Sequence, residues 1–142
     1  MIELLIPLNP VTKKNNAIPV RRGKRTMIIP SQRYREYEHD ALLMIPQEAK
    51  KKIDYPVNIK AYYFRNSRRR VDITNLESAL MDLLVKAEVL ADDSAIPPVV
   101  VSTDGSRVFY DKNNPRTEVY IEPNTEGMER QLYPERYPTD EV

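Results

Sequence analysis

Asp72, Asp92 and Asp93 lie at the two ends of one amphipathic segment, and Arg68, Arg69 and Arg70 stand immediately before it. Carboxylates beside adjacent arginines are suited to hydrolysing a phosphodiester. Hard oxygen ligands hold Mg²⁺ or Mn²⁺ with water completing the shell, and planar guanidinium forks hold phosphate. Between the two ends, Asn75, Ser78 and Asp82 recur three and then four residues apart, which aligns them as a polar stripe on a helix, away from Leu76, Leu80 and Leu84. Each acid also has a plainer reading. Asp72 suits a helix N-cap, Thr74-Asn75-Leu76-Glu77 fits a capping box, Asp82 suits a solvated helix face, and Asp92-Asp93 suits an acidic turn. A helix of ~15 residues is ~22 Å long, so the acids at its ends share an ion only if something folds the later pair back toward the first. The loop itself, or strand pairing after it, has to do this.

Other chemistry is thinly represented. The absence of cysteine removes disulfides, thiol catalysis and thiolate metal sites together. The only histidine, His39, sits among Glu36, Glu38 and Asp40 and reads as a surface residue, which leaves nucleophilic triads unsupported. Three glycines in the chain leave no phosphate-cradling loop and no dinucleotide fingerprint, so no nucleotide cofactor is expected.

The elements that must position these residues follow from periodicity. The 142 residues, 41% hydrophobic and 30% charged, suit one domain. Ile2, Leu4, Ile6 and Leu8 alternate as a half-buried strand that Pro7 ends or confines to an edge. A polar stretch from Asn9 to Arg25 follows, with a turn at Gly23 and a short strand at 26–29. Ser31 stands as N-cap to a helix over 32–44 carrying Tyr34, Tyr37, Ala41 and Leu42, and Val57, Ile59, Ala61 and Tyr63 alternate in a strand over 56–64. The second helix begins near 72–74 and ends before Val89. Strands follow at 99–102, 107–110 and 116–121, with Asp104-Gly105 as a hairpin signal. Residues 123–142, with three prolines and few aliphatics, read as a mobile tail. The order is that of an α+β, mixed-sheet domain.

Charge is segregated along the chain. Residues 1–75 carry 16 Lys/Arg against 7 Asp/Glu, and residues 76–142 carry 6 against 14. The pattern suits a polyanion-binding surface beside a carboxylate cluster, and equally two halves that neutralise each other in the fold. No run approaches the ~18 apolar residues of a membrane span, and MIELLIPLNP lacks the basic region and small-residue cleavage site of a signal peptide. A soluble, cytoplasmic protein is expected.

The stretch RRRVDITNLESALMDLLVKAEVLADDSAI, residues 68–96, resembles the core signature of the RusA family of Holliday junction resolvases. That signature runs Asp-x-Asp-Asn, a lysine three residues on, Asp-Ala-Leu, and later an Asp-Asp pair. Asp72, Asn75, Asp82 (followed by Leu83-Leu84) and Asp92-Asp93 fall on its positions. Pro10-Val11-Thr12-Lys13-Lys14-Asn15 resembles the family's opening and Asn114-Pro115-Arg116-Thr117-Glu118-Val119 its last strand, so the anchors span about residues 5–122. Thr74 replaces the family's second acid and Ser78 its lysine. That is one ligand and one cation fewer, for which Glu77, Asp82 or Asp104 and Lys13 or Lys14 are the candidate substitutes.

The resemblance implies a nuclease domain over 1–122 with a flexible tail over 123–142. It implies a small mixed sheet with two main helices, a homodimer, prophage-type origin, and Mg²⁺-dependent cutting of four-way DNA junctions in recombination and repair. Asp72 and Asp93 would hold the ion with Asp92 and Asp82 in support, and Asn75 would orient a carboxylate or water. Lys13, Lys14, Arg68, Arg69 and Arg70 would bind backbone phosphates. Two alternatives stay open: a branched-DNA binder of the same fold that does not cut, and a protein–protein interaction module of a phage complex.

Overall fold

The computed structural model describes residues 1–13, 17–91 and 99–136. β1 (Ile2–Ile6) turns Leu4 and Ile6 into the core, and Pro7, which lacks an N–H, follows its last residue. β2 (Ala17–Arg22) and β3 (Arg25–Pro30) form a separate antiparallel hairpin whose two-residue loop starts at Gly23, φ +62°. That loop position takes a positive φ, which glycine supplies without strain. The sequence predicts the turn and the second of these strands. It does not predict β2, because Ala-Ile-Pro-Val-Arg-Arg interrupts its apolar alternation with Pro19 and two arginines.

α1 (Gln32–Met44) is capped as expected, with Ser31 Oγ accepting from the Tyr34 N–H at 3.2 Å. It buries Tyr34 and Ala41. A single 3₁₀ turn (Gln47–Ala49) leads to β4 (Val57–Arg65), which buries Val57, Ile59, Ala61 and Tyr63 on one face. α2 (Ile73–Lys86) lays Leu76, Ala79, Leu80, Leu83 and Leu84 into the core, completing the apolar stripe read from the sequence. β7 (Arg116–Pro123) lies between β1 and β4, antiparallel to both, with Val119 and Ile121 facing the helices.

β5 (Val100–Ser102) and β6 (Arg107–Tyr110) correct one expectation. Asp104-Gly105 does not reverse the chain as a hairpin, since both strands pair with β4 in parallel, β5 beside Val57–Asn58 and β6 beside Tyr62–Arg65. Gly105 (φ +90°) lets the chain step out, and Ser106 Oγ accepts from the Ala61 N–H at 3.0 Å where a ladder bond is missing. The Asp-Gly signal reports the need for a positive φ, which a bulging turn satisfies as well as a reversal does. The five-stranded mixed sheet therefore runs β1-β7-β4, with β5 and β6 sharing the outer edge, and β4-α2-β5 is a parallel crossover. Fold class and helix positions agree with the sequence reading.

Residues 123–136, expected in a mobile tail, carry α3 (Thr125–Leu132) and a 3₁₀ turn (Pro134–Arg136). Asn124 explains this. Its side-chain oxygen caps the helix through the Gly127 N–H at 2.6 Å, its N–H donates to the Pro56 carbonyl at 2.9 Å, and its Nδ2 donates to Asn58 Oδ1 at 2.8 Å. One asparagine thus ties the segment to the start of β4, which composition alone does not reveal.

Candidate functional site

Asp72 is the N-cap of α2. Its Oδ1 accepts from the Thr74 N–H at 2.9 Å, and its carbonyl accepts from the N–H groups of Asn75 (3.1 Å) and Leu76 (3.3 Å). The capping reading is therefore correct, yet it uses only one carboxylate oxygen. Oδ2 has no partner among the described residues, and the side chain is exposed. The alternative capping box from Thr74 to Glu77 does not form. Glu77 Oε2 instead accepts from Thr103 Oγ1 at 3.3 Å, and burial pushes the Glu77 carboxyl above its ordinary range while that hydrogen bond pulls it back.

Asp82 does not come to Asp72. Ten residues of helix separate them by about 15 Å along the axis. Asp82 meets Lys13 instead, Nζ to Oδ2 at 3.9 Å. Lys13 is delivered there because Val11, within the segment read as polar, is buried against Tyr34 and Ala79, threading the chain between α1 and α2. Burial first, then the charges of Glu38 and Asp82, push the Tyr34 phenol above its ordinary range. Asn75 is half-buried one turn into α2 and Ser78 is exposed. Asp104 lies beside Lys60 and Tyr120 in a cleft on the face of the sheet away from the core.

Asp92, Asp93 and Lys14 lie outside the described residues. The described chain stops at Ala91 before the acidic pair and resumes at Val99 after it. Ala91 donates to the Ile53 carbonyl at 2.9 Å, and Val99 accepts from the Val57 N–H at 2.8 Å, so both flanks are held at the start of β4. Asp72 follows the end of β4, whose nine residues span roughly 26 Å. Strand pairing therefore holds Ala91 and Val99 at the opposite end of β4 from Asp72. Among the described residues no three His, Cys, Asp or Glu side chains gather into a metal-binding group. The oxygen donors beside the α2 N-terminus, Asp72 Oδ2 with the Thr74 hydroxyl and the Asn75 amide, are all hard, which fits Mg²⁺ or Mn²⁺ as one side of a site.

The arginine tract gathers at this same end. Arg68 lies over the Tyr110 ring, 4.5 Å from its centroid. Arg69 and Arg70 line a cleft of about 330 Å³ with Pro10, Val11, Thr12 and Val71, with Arg65, which opens the basic tract at 65–70, and with one residue the sequence reading missed, Arg33. Arg65 had a signal in the sequence. It shares the odd parity of Ile59, Ala61 and Tyr63, so the strand turns it toward the helix-covered face. Arg33 had none, being one of several exposed charges on α1. His39 is exposed, as expected. Among the described residues no helix is long and apolar enough to cross a membrane.

No curated protein matches the chain. The family model of endodeoxyribonuclease RusA matches residues 7–122, from just after β1 to the penultimate residue of β7, and includes the arginine tract, Asp72 and the Asp92-Asp93 pair. Because that match spans most of the 142 residues, the chain belongs to the RusA endodeoxyribonuclease family.

Proposed function

We propose that the protein is a divalent-metal-dependent endonuclease that cuts four-way DNA junctions as a homodimer, in recombination and repair. The observation that carries this reading is the free oxygen of Asp72 beside a cleft of arginines. Asp72, with Asn75 and Thr74 beside it, would hold one side of a Mg²⁺ or Mn²⁺ ion, and Asp93 with Asp92 the other. When bound, the ion supplies Lewis-acid chemistry at the scissile phosphate.

The two sides belong to different protomers in this reading. Ala91 and Val99 bracket the acidic pair at the start of β4, whereas Asp72 follows its end. A twofold axis that sets two sheets antiparallel brings the start of one β4 beside the end of the other, and junction resolution needs two symmetric nicks. The outer edge of the sheet supports this, since Val101, Val108, Phe109 and Tyr110 all stand exposed along β5 and β6.

The remaining residues bind and orient. Arg68, Arg69, Arg70, Lys13 and Lys14 neutralise backbone phosphates, so affinity falls steeply with salt. Asp82 holds Lys13 in place through their ion pair. Asn75 orients a carboxylate or a water. With phosphate contacts dominant, recognition is of junction shape rather than sequence.

A synthetic four-way junction incubated with purified protein across a Mg²⁺ and Mn²⁺ titration tests this. Paired nicks on opposing strands that require the ion are expected. A mobility shift without nicking at any ion concentration would establish a binder whose site Thr74 and Ser78 have disabled. No shift at low salt would establish an interaction module.

A further inference from the structure

The cleft at the end of β4 is more than an exposed basic run. Arg65 Nε is buried with no acceptor among the described residues, and its NH1 donates to the Arg69 carbonyl at 2.6 Å, which folds the tract back over it. Arg33 reaches the same cleft from the first turn of α1. No described carboxylate lies within ion-pair distance of Arg33, Arg65, Arg69 or Arg70, although the chain carries 21 Asp and Glu. Surface arginines near acids pair with them readily. Four guanidiniums from three places in the sequence, converging without one, leave a concentrated positive field that only an anion relieves. Burial first, then the like charges of Arg33 and Arg69, draw the Arg65 pKa below its ordinary value.

We propose that this cleft seats a single backbone phosphodiester of a DNA strand, gripped by Arg33 and Arg65 together with Arg69 and Arg70. Planar forks match the geometry of phosphate oxygens, and a partly desolvated fork loses little freedom on binding. Val71 lines the cleft and the next residue is Asp72, so the seated phosphate sets the distance of the strand from the metal-ligating carboxylate. Arg68, held on Tyr110, continues the basic surface beyond the cleft, which suits a polymer rather than a free phosphate. The proposal rests on the junction-cutting reading and adds to its phosphate-binding residues Arg33 and Arg65.

The test is junction affinity by fluorescence anisotropy over a salt series, with Ca²⁺ in place of Mg²⁺. Wild type is compared with Arg65→Met, Arg33→Gln, the double variant, and Lys60→Gln as a control in mid-β4 on the sheet face away from the core. Each single variant is expected to weaken binding about tenfold and lower the salt slope by about one. The double variant should lower the slope by no more than one, because both arginines serve the same phosphate. A slope lowered by two in the double variant would mean two separate contacts on a diffuse patch and overturn the proposal. So would unchanged affinity in both single variants. If inorganic phosphate raises the melting temperature of wild type but not of Arg65→Met while their junction affinities stay equal, the cleft binds free phosphate and the proposal falls. Absence of junction binding by wild type at low salt would instead overturn the DNA reading itself. Thermal melts accompany each variant, and if Arg65→Met is destabilised, Arg33→Gln, altered at an exposed position, decides alone.

Discussion

Asp72→Asn is expected to slow junction nicking by about a thousandfold while leaving junction binding and melting temperature close to wild type. The three parts of this expectation have separate causes. Asparagine is as good an N-cap as aspartate and keeps the oxygen that accepts from the Thr74 N–H, so α2 is retained. The exchange removes one negative charge next to the arginines of the cleft, which should leave junction binding equal or slightly tighter. What the proposed site would lose is a charged ligand to its ion. Lewis-acid stabilisation of a phosphoryl transition state is worth several kcal/mol, and each 1.4 kcal/mol or so is a factor of ten in rate. Asp72→Ala is the informative contrast, since it also forfeits the cap and about 1 kcal/mol of stability. Single-turnover nicking of a labelled junction, read beside anisotropy and a thermal melt, separates these effects. A rate within tenfold of wild type would remove Asp72 from the site.

The largest effect on stability is expected from Leu84→Ala. Leu84 is fully buried (0% exposed) on α2, inside the cluster that includes Leu80, Leu83, Ile59 and Val119. Truncation removes its transfer energy and leaves a cavity that helix and sheet fill only in part, a loss of about 3 kcal/mol. For a chain of this size that is a fall in melting temperature of about 10 °C. The Leu84 carbonyl also accepts from the N–H groups of Val89 (2.9 Å) and Leu90 (3.3 Å), which lead the chain toward the acidic pair. A loosened α2 end should therefore depress activity below the midpoint of unfolding as well. Thermal unfolding followed by circular dichroism checks the first expectation, and a loss under 1 kcal/mol would contradict it.

Much of this architecture is legible in the residues because burial imposes period. Ile59, Ala61 and Tyr63 alternate, Leu76, Leu80, Leu83 and Leu84 recur along one helix face, and Ser31 and Asp72 stand where unsatisfied N–H groups need acceptors. Features that depend on contacts distant in sequence are not legible. Ser106 mends the ladder beside Ala61, which turns an apparent hairpin into a step along one edge. Asn124 anchors α3 to Pro56 and Asn58, though its local sequence has little apolar content. The site divides in the same way. Asp72 and the arginine tract are adjacent in sequence and stay adjacent in space, and Arg69 and Arg70 share a cleft. Arg65 was discoverable by strand parity, whereas Arg33 needed the packing of α1 against the tract. The distance between Asp72 and the flanks of Asp92-Asp93 depends on which end of β4 each one adjoins. Helix length raised that question, and only the pairing of Ile53 and Val57 answers it.

The central claim is that the carboxylates of one metal seat come from two protomers, Asp72 from one and the partner's Asp93 from the other. Complementation tests it most directly. Asp72→Asn and Asp93→Asn proteins, each inactive alone, are mixed under conditions of subunit exchange, and heterodimers are isolated through different tags. Every such heterodimer then has one seat with both native aspartates and one with neither. The account predicts that it nicks a single strand of a four-way junction, at up to half the wild-type rate of first nicking, without resolving the junction. Heterodimers as inactive as either parent would contradict it.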